Sequence, residues 1–235
     1  PNIDIQHYRF ELQLSDKSDS IKGKTTISVK FLNNSEQFHL DLVGPNKKND
    51  KGMKVKNIFE KEIDIPFQQK GDSIIVMAKA MKDSLRHYTI VYQGIPADGL
   101  IISKNKFGER TFFGDNWPTR AHQYLPCVDH PADKATLEFI VDAPNHYNVI
   151  ANGYLLEETN LPEGLTRHHY KCDVLLPTKV MVIGAARFAV QNIGEVEGTP
   201  VSSWVYTQDR EAGFHDYEMA KTILAYFIKK IGPYP

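Results

Sequence analysis

Two short stretches carry the residue types that chemistry needs. One is Gly114-Asp115-Asn116-Trp117-Pro118. The other is Leu125-Pro126-Cys127-Val128-Asp129-His130-Pro131-Ala132-Asp133-Lys134-Ala135. With His122 just upstream, the second offers three residues of metal-ligand type: His122, Cys127 and His130. Their H-x4-C-x2-H spacing matches no common zinc module, and a fourth ligand is missing. The local reading is a bend held by Pro126 and Pro131, with Asp129 accepting backbone N–H bonds and Lys134 paired nearby. Asp129 and His130 form no acid–base dyad by adjacency, because neighbours in an extended chain point to opposite faces. The chain has no H-E-x-x-H, no G-x-S-x-G nucleophile elbow and no glycine-rich phosphate loop. It therefore carries no complete catalytic set, and neither a catalytic residue nor a metal ligand is assigned within it. Taken alone, Gly114 to Pro118 reads as an Asp-Asn turn with a buried tryptophan.

The elements that must position these stretches read as strands. Residues 7–14 alternate large and polar side chains. Residues 21–31 alternate again, with Ile21, Gly23, Thr25, Ile27, Val29 and Phe31 on one face. The two runs predict an antiparallel hairpin buried on one side. Further strands are expected at 38–43, 55–59, 73–77, 87–92, 135–141, 147–151, 154–156, 167–173, 180–183, 188–191 and 201–207. Asn152-Gly153 gives the signal of a type I′ hairpin turn. Residues 99–131 are aromatic, rich in Gly and Pro and poorly periodic, which marks a long ordered loop of functional interest. Ala220, Ile223, Leu224, Phe227, Ile228 and Ile231 recur at helical spacing, and they predict one amphipathic helix of about five turns over 212–231. Tyr217, Tyr226 and Phe227 then belong to its core and surface. Gly232 and Pro233 stop it.

Composition bounds the rest. The chain has 235 residues, with 28 Lys and Arg against 29 Asp and Glu, a net charge of −1. That balance argues against a nucleic-acid partner, which calls for a basic excess or patch. No apolar run approaches the roughly 18 residues of a membrane span. Cys127 and Cys172 are the only cysteines. They form one bridge or stay as two buried thiols, and the thiol reading is preferred. The opening Pro1-Asn2-Ile3-Asp4 shows no leader pattern, and exported, periplasmic and cytoplasmic locations all stay open. His168-His169 reads as a packed or solvated pair on a strand. Asn33-Asn34-Ser35 fits the glycosylation triplet, which also arises by chance.

The run Leu125-Pro126-Cys127-Val128-Asp129-His130-Pro131, followed by Asp133-Lys134-Ala135-Thr136, resembles the pattern F-P-C-x-D-x-P-x-x-K-A-T. That pattern belongs to the amino-terminal domain of zinc aminopeptidases of the aminopeptidase N and leukotriene hydrolase family. Weaker matches follow in family order. The opening hairpin has Gly23 in an x-G-x-x-x-I/V signature. Ile150-Ala151-Asn152-Gly153 resembles an S-N-G turn. Leu176-Pro177-Thr178 through Phe188 resembles P-x-S-T-Y-L…F, with Val180-Met181 in place of Tyr-Leu. Ile231-Gly232-Pro233-Tyr234-Pro235 resembles G-x-P-Y-P.

The resemblance implies a mainly β fold, a large curved sheet or sandwich over 1–194, followed over 195–235 by the truncated start of an α/β thermolysin-like catalytic domain. It implies that the full-length protein is a zinc-dependent aminopeptidase. The G-x-M-E-N loop and the H-E-x-x-H helix would follow Pro235, so this chain alone would bind no zinc and be inactive. Its partners would be a peptide with a free amino terminus and its own catalytic domain, whose cleft it shapes. Family members place a Gln or Glu about ten residues before the F-P-C run to hold the substrate's α-amine. Counting back from Leu125 reaches Asp115, one methylene shorter than Glu. Asn116 is the second candidate, and Trp117 would line the first side-chain pocket. The alternative is a non-catalytic β-sandwich binding or scaffold module using residues 99–131 as its ligand surface. Such a module has no need of the helix that follows the sandwich.

Overall fold

The computed structural model describes residues 2–234. Pro1 and Pro235, the ends of the two terminal motifs just quoted, lie outside the described residues. In chain order the strands begin with β1 (Ile3–Gln13), β2 (Ile21–Phe31), β3 (Phe38–Asp41), β4 (Gly52–Glu60), β5 (Ile63–Asp64), β6 (Phe67–Lys70), β7 (Ser73–Val76) and β8 (Leu85–Ile95). They continue with β9 (Leu100–Lys104), β10 (Arg110–Gly114), β11 (Lys134–Pro144), β12 (Asn148–Ala151), β13 (Tyr154–Leu161) and β14 (Leu165–Pro177). The last three are β15 (Ile183–Ala186), β16 (Phe188–Val196) and β17 (Thr199–Tyr206). Two helices follow, α1 (Arg210–Asp216) and α2 (Ala220–Ile231). The fold is mainly β, as the sequence pattern predicts.

An eight-stranded sheet, ordered β13-β14-β11-β1-β2-β8-β4-β5, forms the frame. Every residue named on the inward face of β2 is buried, from Ile21 to Phe31. Strand β1 pairs antiparallel with β2, as expected, but its register shifts between Ile5 and His7. The extra residue changes the phase of alternation. Ile3 and Ile5 point inward before the shift, and Tyr8, Phe10 and Leu12 after it. On its other side β1 pairs parallel with β11, with Tyr8 opposite Leu137. Tyr8 stacks on Phe10 along β1 at 5.1 Å, and Phe10 on Phe139 across to β11 at 5.2 Å. A four-stranded sheet, β12-β15-β10-β9, and a three-stranded one, β3-β7-β6, close over the inner face. Cys127 and Cys172 are both buried free thiols.

Three local expectations are corrected. Residues 99–131 are not one loop, because β9 and β10 pair as a hairpin within them. Asn152-Gly153 does not close a hairpin either. The strand before it, β12, pairs with β15, and the strand after it, β13, pairs with β14. The two residues carry the chain from one sheet to another. Gly153 has φ of +90°, and a Cβ there would stand 1.9 Å from the Lys171 carbonyl oxygen. The neighbouring Asn152 accepts the Val182 N–H at 2.7 Å and donates to the Val180 carbonyl at 2.9 Å. Finally, the five-turn helix is broken at Tyr217–Met219, leaving α1 and α2.

The core cluster under the large sheet includes no residue beyond Ala185. Strands β16 and β17 form their own two-stranded sheet, with α1 against β17 and α2 against β16. Tyr217, Ile223, Tyr226, Phe227 and Ile231 are exposed rather than buried. No helix among the described residues is long and apolar enough to cross a membrane.

Candidate functional site

Strand β10 ends at Gly114, and the chain then runs irregularly to β11 through a single 3-10 turn at Ala121–Gln123. Although irregular, this segment is tied down along its length. Asp41, at the end of β3, exchanges backbone hydrogen bonds with Cys127 at 2.7 and 3.1 Å. The Val128 N–H donates to the Tyr8 hydroxyl at 3.0 Å, and the Asp129 N–H to Asp41 Oδ2 at 2.9 Å. Asp133 accepts the Ile5 N–H at 3.3 Å, and burial pushes its carboxyl up to about 6. Buried polar groups need such partners, and here β1 and β3 supply them.

Asp129 is the hub of the bend. It accepts from His122 Nδ1 at 2.6 Å, from the His122 N–H at 3.3 Å and from the Thr178 hydroxyl at 2.8 Å. The side chains of His122 and Asp129 are 19 % and 4 % exposed, so this is a nearly buried hydrogen-bonded pair, ionic when His122 is protonated. It raises the pKa of His122 above its ordinary value. The expected acceptor role of Asp129 is thus found, but its main partner is a histidine seven residues upstream. Lys134 makes no ion pair among the described residues, contrary to expectation. Cys127 is fully buried, with burial pushing its thiol pKa up, and His130 Nδ1 accepts from the Ala132 N–H at 3.2 Å. The ring of His122 is turned to Asp129. Among the described residues no three His, Cys, Asp or Glu side chains converge as metal ligands.

The three residues singled out on the first stretch separate. Asp115 follows the strand end, with its N–H bonded to the Gly99 carbonyl at 2.6 Å. Its side chain is 51 % exposed, and Oδ2 accepts from Arg120 Nη2 at 2.5 Å. Oδ1 receives no hydrogen bond among the described residues. Trp117 is 59 % exposed, not the buried tryptophan of the local turn reading. The Lys179 ammonium lies over its ring, 4.4 Å from the centroid, in cation–π contact. The Trp117–Pro118 peptide bond is cis. Asn116 points the other way. It is 1 % exposed, and its amide donates to the carbonyls of Met181 at 2.6 Å and Thr178 at 3.1 Å. Its side chain therefore lies inside the fold, with Oδ1 unpartnered among the described residues, and its amide nitrogen fixes the 178–181 segment beside the loop instead of facing solvent.

Sequence reasoning gives no sign of Lys179. Arg120 is the only Lys or Arg between Asp115 and Asp129, which is the one signal that points to it. Its Nε donates to the Trp117 carbonyl at 2.7 Å, and its Nη1 reaches Asp98 Oδ1 at 3.5 Å. Together these residues form an exposed corner. It holds an aspartate with one oxygen unbonded among the described residues, a guanidinium on the other oxygen, and an exposed indole under the Lys179 ammonium. Such a corner suits a cationic ligand with an apolar group attached.

The family model described as the peptidase M1 N-terminal domain matches residues 5–180. Endoplasmic reticulum aminopeptidase 1 of Mus musculus is 26% identical over 121 residues, which is 50% of this chain and 13% of that protein. An M1 zinc metallopeptidase from Deinococcus radiodurans, solved with a Tyr-Ser-Ala substrate, superposes with a TM-score of 0.82 at 18% identity. The match covers all of this chain and 55% of that one. Leukotriene A4 hydrolase from Saccharomyces cerevisiae superposes with a TM-score of 0.82 at 17% identity, over all of this chain and 36% of its own. This chain thus spans about half the length of the first of these structures, and much less of the others.

Proposed function

The chain belongs to the peptidase M1 N-terminal domain family, and from that premise we propose that it is the amino-terminal part of a zinc aminopeptidase that removes single residues from free peptide amino termini. Its part in the reaction is to shape the cleft and to present Asp115 to the substrate's α-ammonium group. Residues 195–235 begin the catalytic domain, against which the β domain packs. The Deinococcus radiodurans relative is a zinc metallopeptidase, but the described residues of this chain assemble no zinc site. No zinc ligand is assigned to this chain, and no step is drawn through the metal.

The observation that carries this reading is the state of Asp115. One carboxylate oxygen is held by Arg120, the other is unbonded among the described residues, and the group is half exposed. A carboxylate so held is a ready partner for an ammonium ion. Trp117, exposed next to it, lines the pocket for the first side chain. Asn116 serves from below, by fixing the loop.

The test is made on the full-length enzyme with amino-acid anilides. Asp115→Ala is expected to raise KM by roughly tenfold to a hundredfold, the worth of a hydrogen bond to a charged group at ~1.5–3 kcal/mol. Zinc content should stay at the parent level. A KM equal to that of the parent would remove Asp115 from the site.

A further inference from the structure

We propose that Arg120 is a positioning residue for substrate binding: it acts through Asp115 and fixes which carboxylate oxygen meets the incoming amine. The inference rests on the reading of Asp115 as the amine partner.

The guanidinium sits between two chain segments that would otherwise be joined only by backbone. Its Nη2 bonds Asp115 Oδ2 at 2.5 Å and its Nε bonds the Trp117 carbonyl at 2.7 Å. Its Nη1 lies 3.5 Å from Asp98 Oδ1, and that same oxygen accepts the Gly99 N–H at 2.8 Å. The backbone of Arg120 is fixed as well. Its N–H donates to the Asn116 carbonyl at 2.9 Å. Its own carbonyl packs on Gly99, where a Cβ would stand only 2.2 Å away and φ is +75°. The arginine is therefore anchored at both ends before it touches Asp115.

Two consequences follow from the chemistry. An unheld aspartate at a half-exposed rim samples several rotamers, and binding must then pay to order it. With Oδ2 pinned, Oδ1 is already aimed. Asp98 and Asp115 are balanced by Arg120 and by Lys179 over the Trp117 ring, so recognition of an ammonium ion falls on the aimed Oδ1 and not on net charge. A lysine at this position would keep the charge but lose the planar fork that reaches the carboxylate and the Trp117 carbonyl together. Orientation of the amine acts on substrate affinity and leaves bond cleavage to groups elsewhere, so the effect should fall on KM.

The experiment uses the full-length enzyme and compares Arg120→Met, Arg120→Lys, Asp115→Ala and the Arg120→Met/Asp115→Ala double variant with amino-acid anilides. Arg120→Met is expected to raise KM about fivefold to twentyfold with kcat within about twofold, and Arg120→Lys to recover part of that loss. The double variant should match Asp115→Ala alone, because an arginine that works through Asp115 has nothing left to position. The inhibition constant of a competitive inhibitor lacking the α-amine should not change in any variant. Independent, multiplying KM effects would overturn the proposal while leaving Asp115 as the amine partner. So would a weakened amine-free inhibitor, which marks general damage to the loop. An unchanged KM in Asp115→Ala would instead overturn the amine-binding reading, and this inference with it.

Discussion

An alanine at Gly153 is expected to destabilise the protein by ~3 kcal/mol or more, read as a lower urea midpoint at unchanged slope. Two costs combine. The backbone at φ +90° lies in a region that L side chains rarely adopt, which costs about 1–2 kcal/mol for a residue with a Cβ. The added methyl would also stand 1.9 Å from the Lys171 carbonyl oxygen and 2.8 Å from the Cys172 Cα. Both are main-chain atoms of β14, so no flexible side chain can move aside. Overpacking against a fixed neighbour costs about 1–3 kcal/mol. Total stabilities of about 5–15 kcal/mol leave little room for such a loss. A midpoint shift worth less than about 0.5 kcal/mol would show that the crossing between the sheets can open without cost, and would refute this account of Gly153.

Asp129→Ala is the second large effect, expected at about 3–5 kcal/mol, because removing one partner strands a nearly buried charge and two further donors. The variant loses the parent's bonds to His122 Nδ1, the His122 N–H and the Thr178 hydroxyl. The same pair should give stability a pH window. Burial alone pushes the Asp129 carboxyl up, but the hydrogen bonds from His122 and Thr178 outweigh it, and its pKa ends below the ordinary 3.8. His122 is raised above 6.5, first by its bond to Asp129. A lowered carboxyl contributes stability above its unfolded value, and this is lost as pH falls through the folded one. A raised histidine contributes fully below its unfolded value, and this is lost as pH rises through the folded one. The gap in stability between the parent and Asp129→Asn should therefore be widest between about pH 4 and 6.5. A gap that stays constant across and beyond that range would mean that the pair is not ionised in the folded protein.

Much of the frame is legible from period alone. The inward face of β2 can be named residue by residue because a strand half in water must alternate. Strand β1 is legible only from His7 onward, since the register shift after Ile5 changes the phase and hides its first two buried residues. The hairpin of β9 and β10 is obscured by Gly108 and by polar residues at its tip, and the helical pattern over 212–231 runs straight through the break at Tyr217–Met219. Asn152-Gly153 has the chemistry of a tight turn, yet its flanking strands find partners in different sheets, and no local signal encodes that choice. At the site, Asp115 is reached by counting from the Leu125-Pro126-Cys127 run. The pairs Asp115–Arg120 and His122–Asp129 are not reached, because spans of five and seven residues through irregular backbone have no period to read. Asn116 and Trp117 differ in burial for the same reason.

The place of β1 also bears on how the chain folds. The antiparallel halves β2-β8-β4-β5 and β13-β14-β11 meet only where β1 lies beside β11. His7 and Thr136, which face each other there, are 129 residues apart in sequence. Contacts inside each half need far shorter loops, and closing a longer loop costs more entropy. The first strand made is thus the last to gain its second neighbour. Long-range parallel pairing of this kind slows folding. In pulse-labelled hydrogen exchange, the amides of β2 and β8 should gain protection before those that join β1 to β11. Simultaneous protection would mean that the central seam forms with the halves and is itself the nucleus.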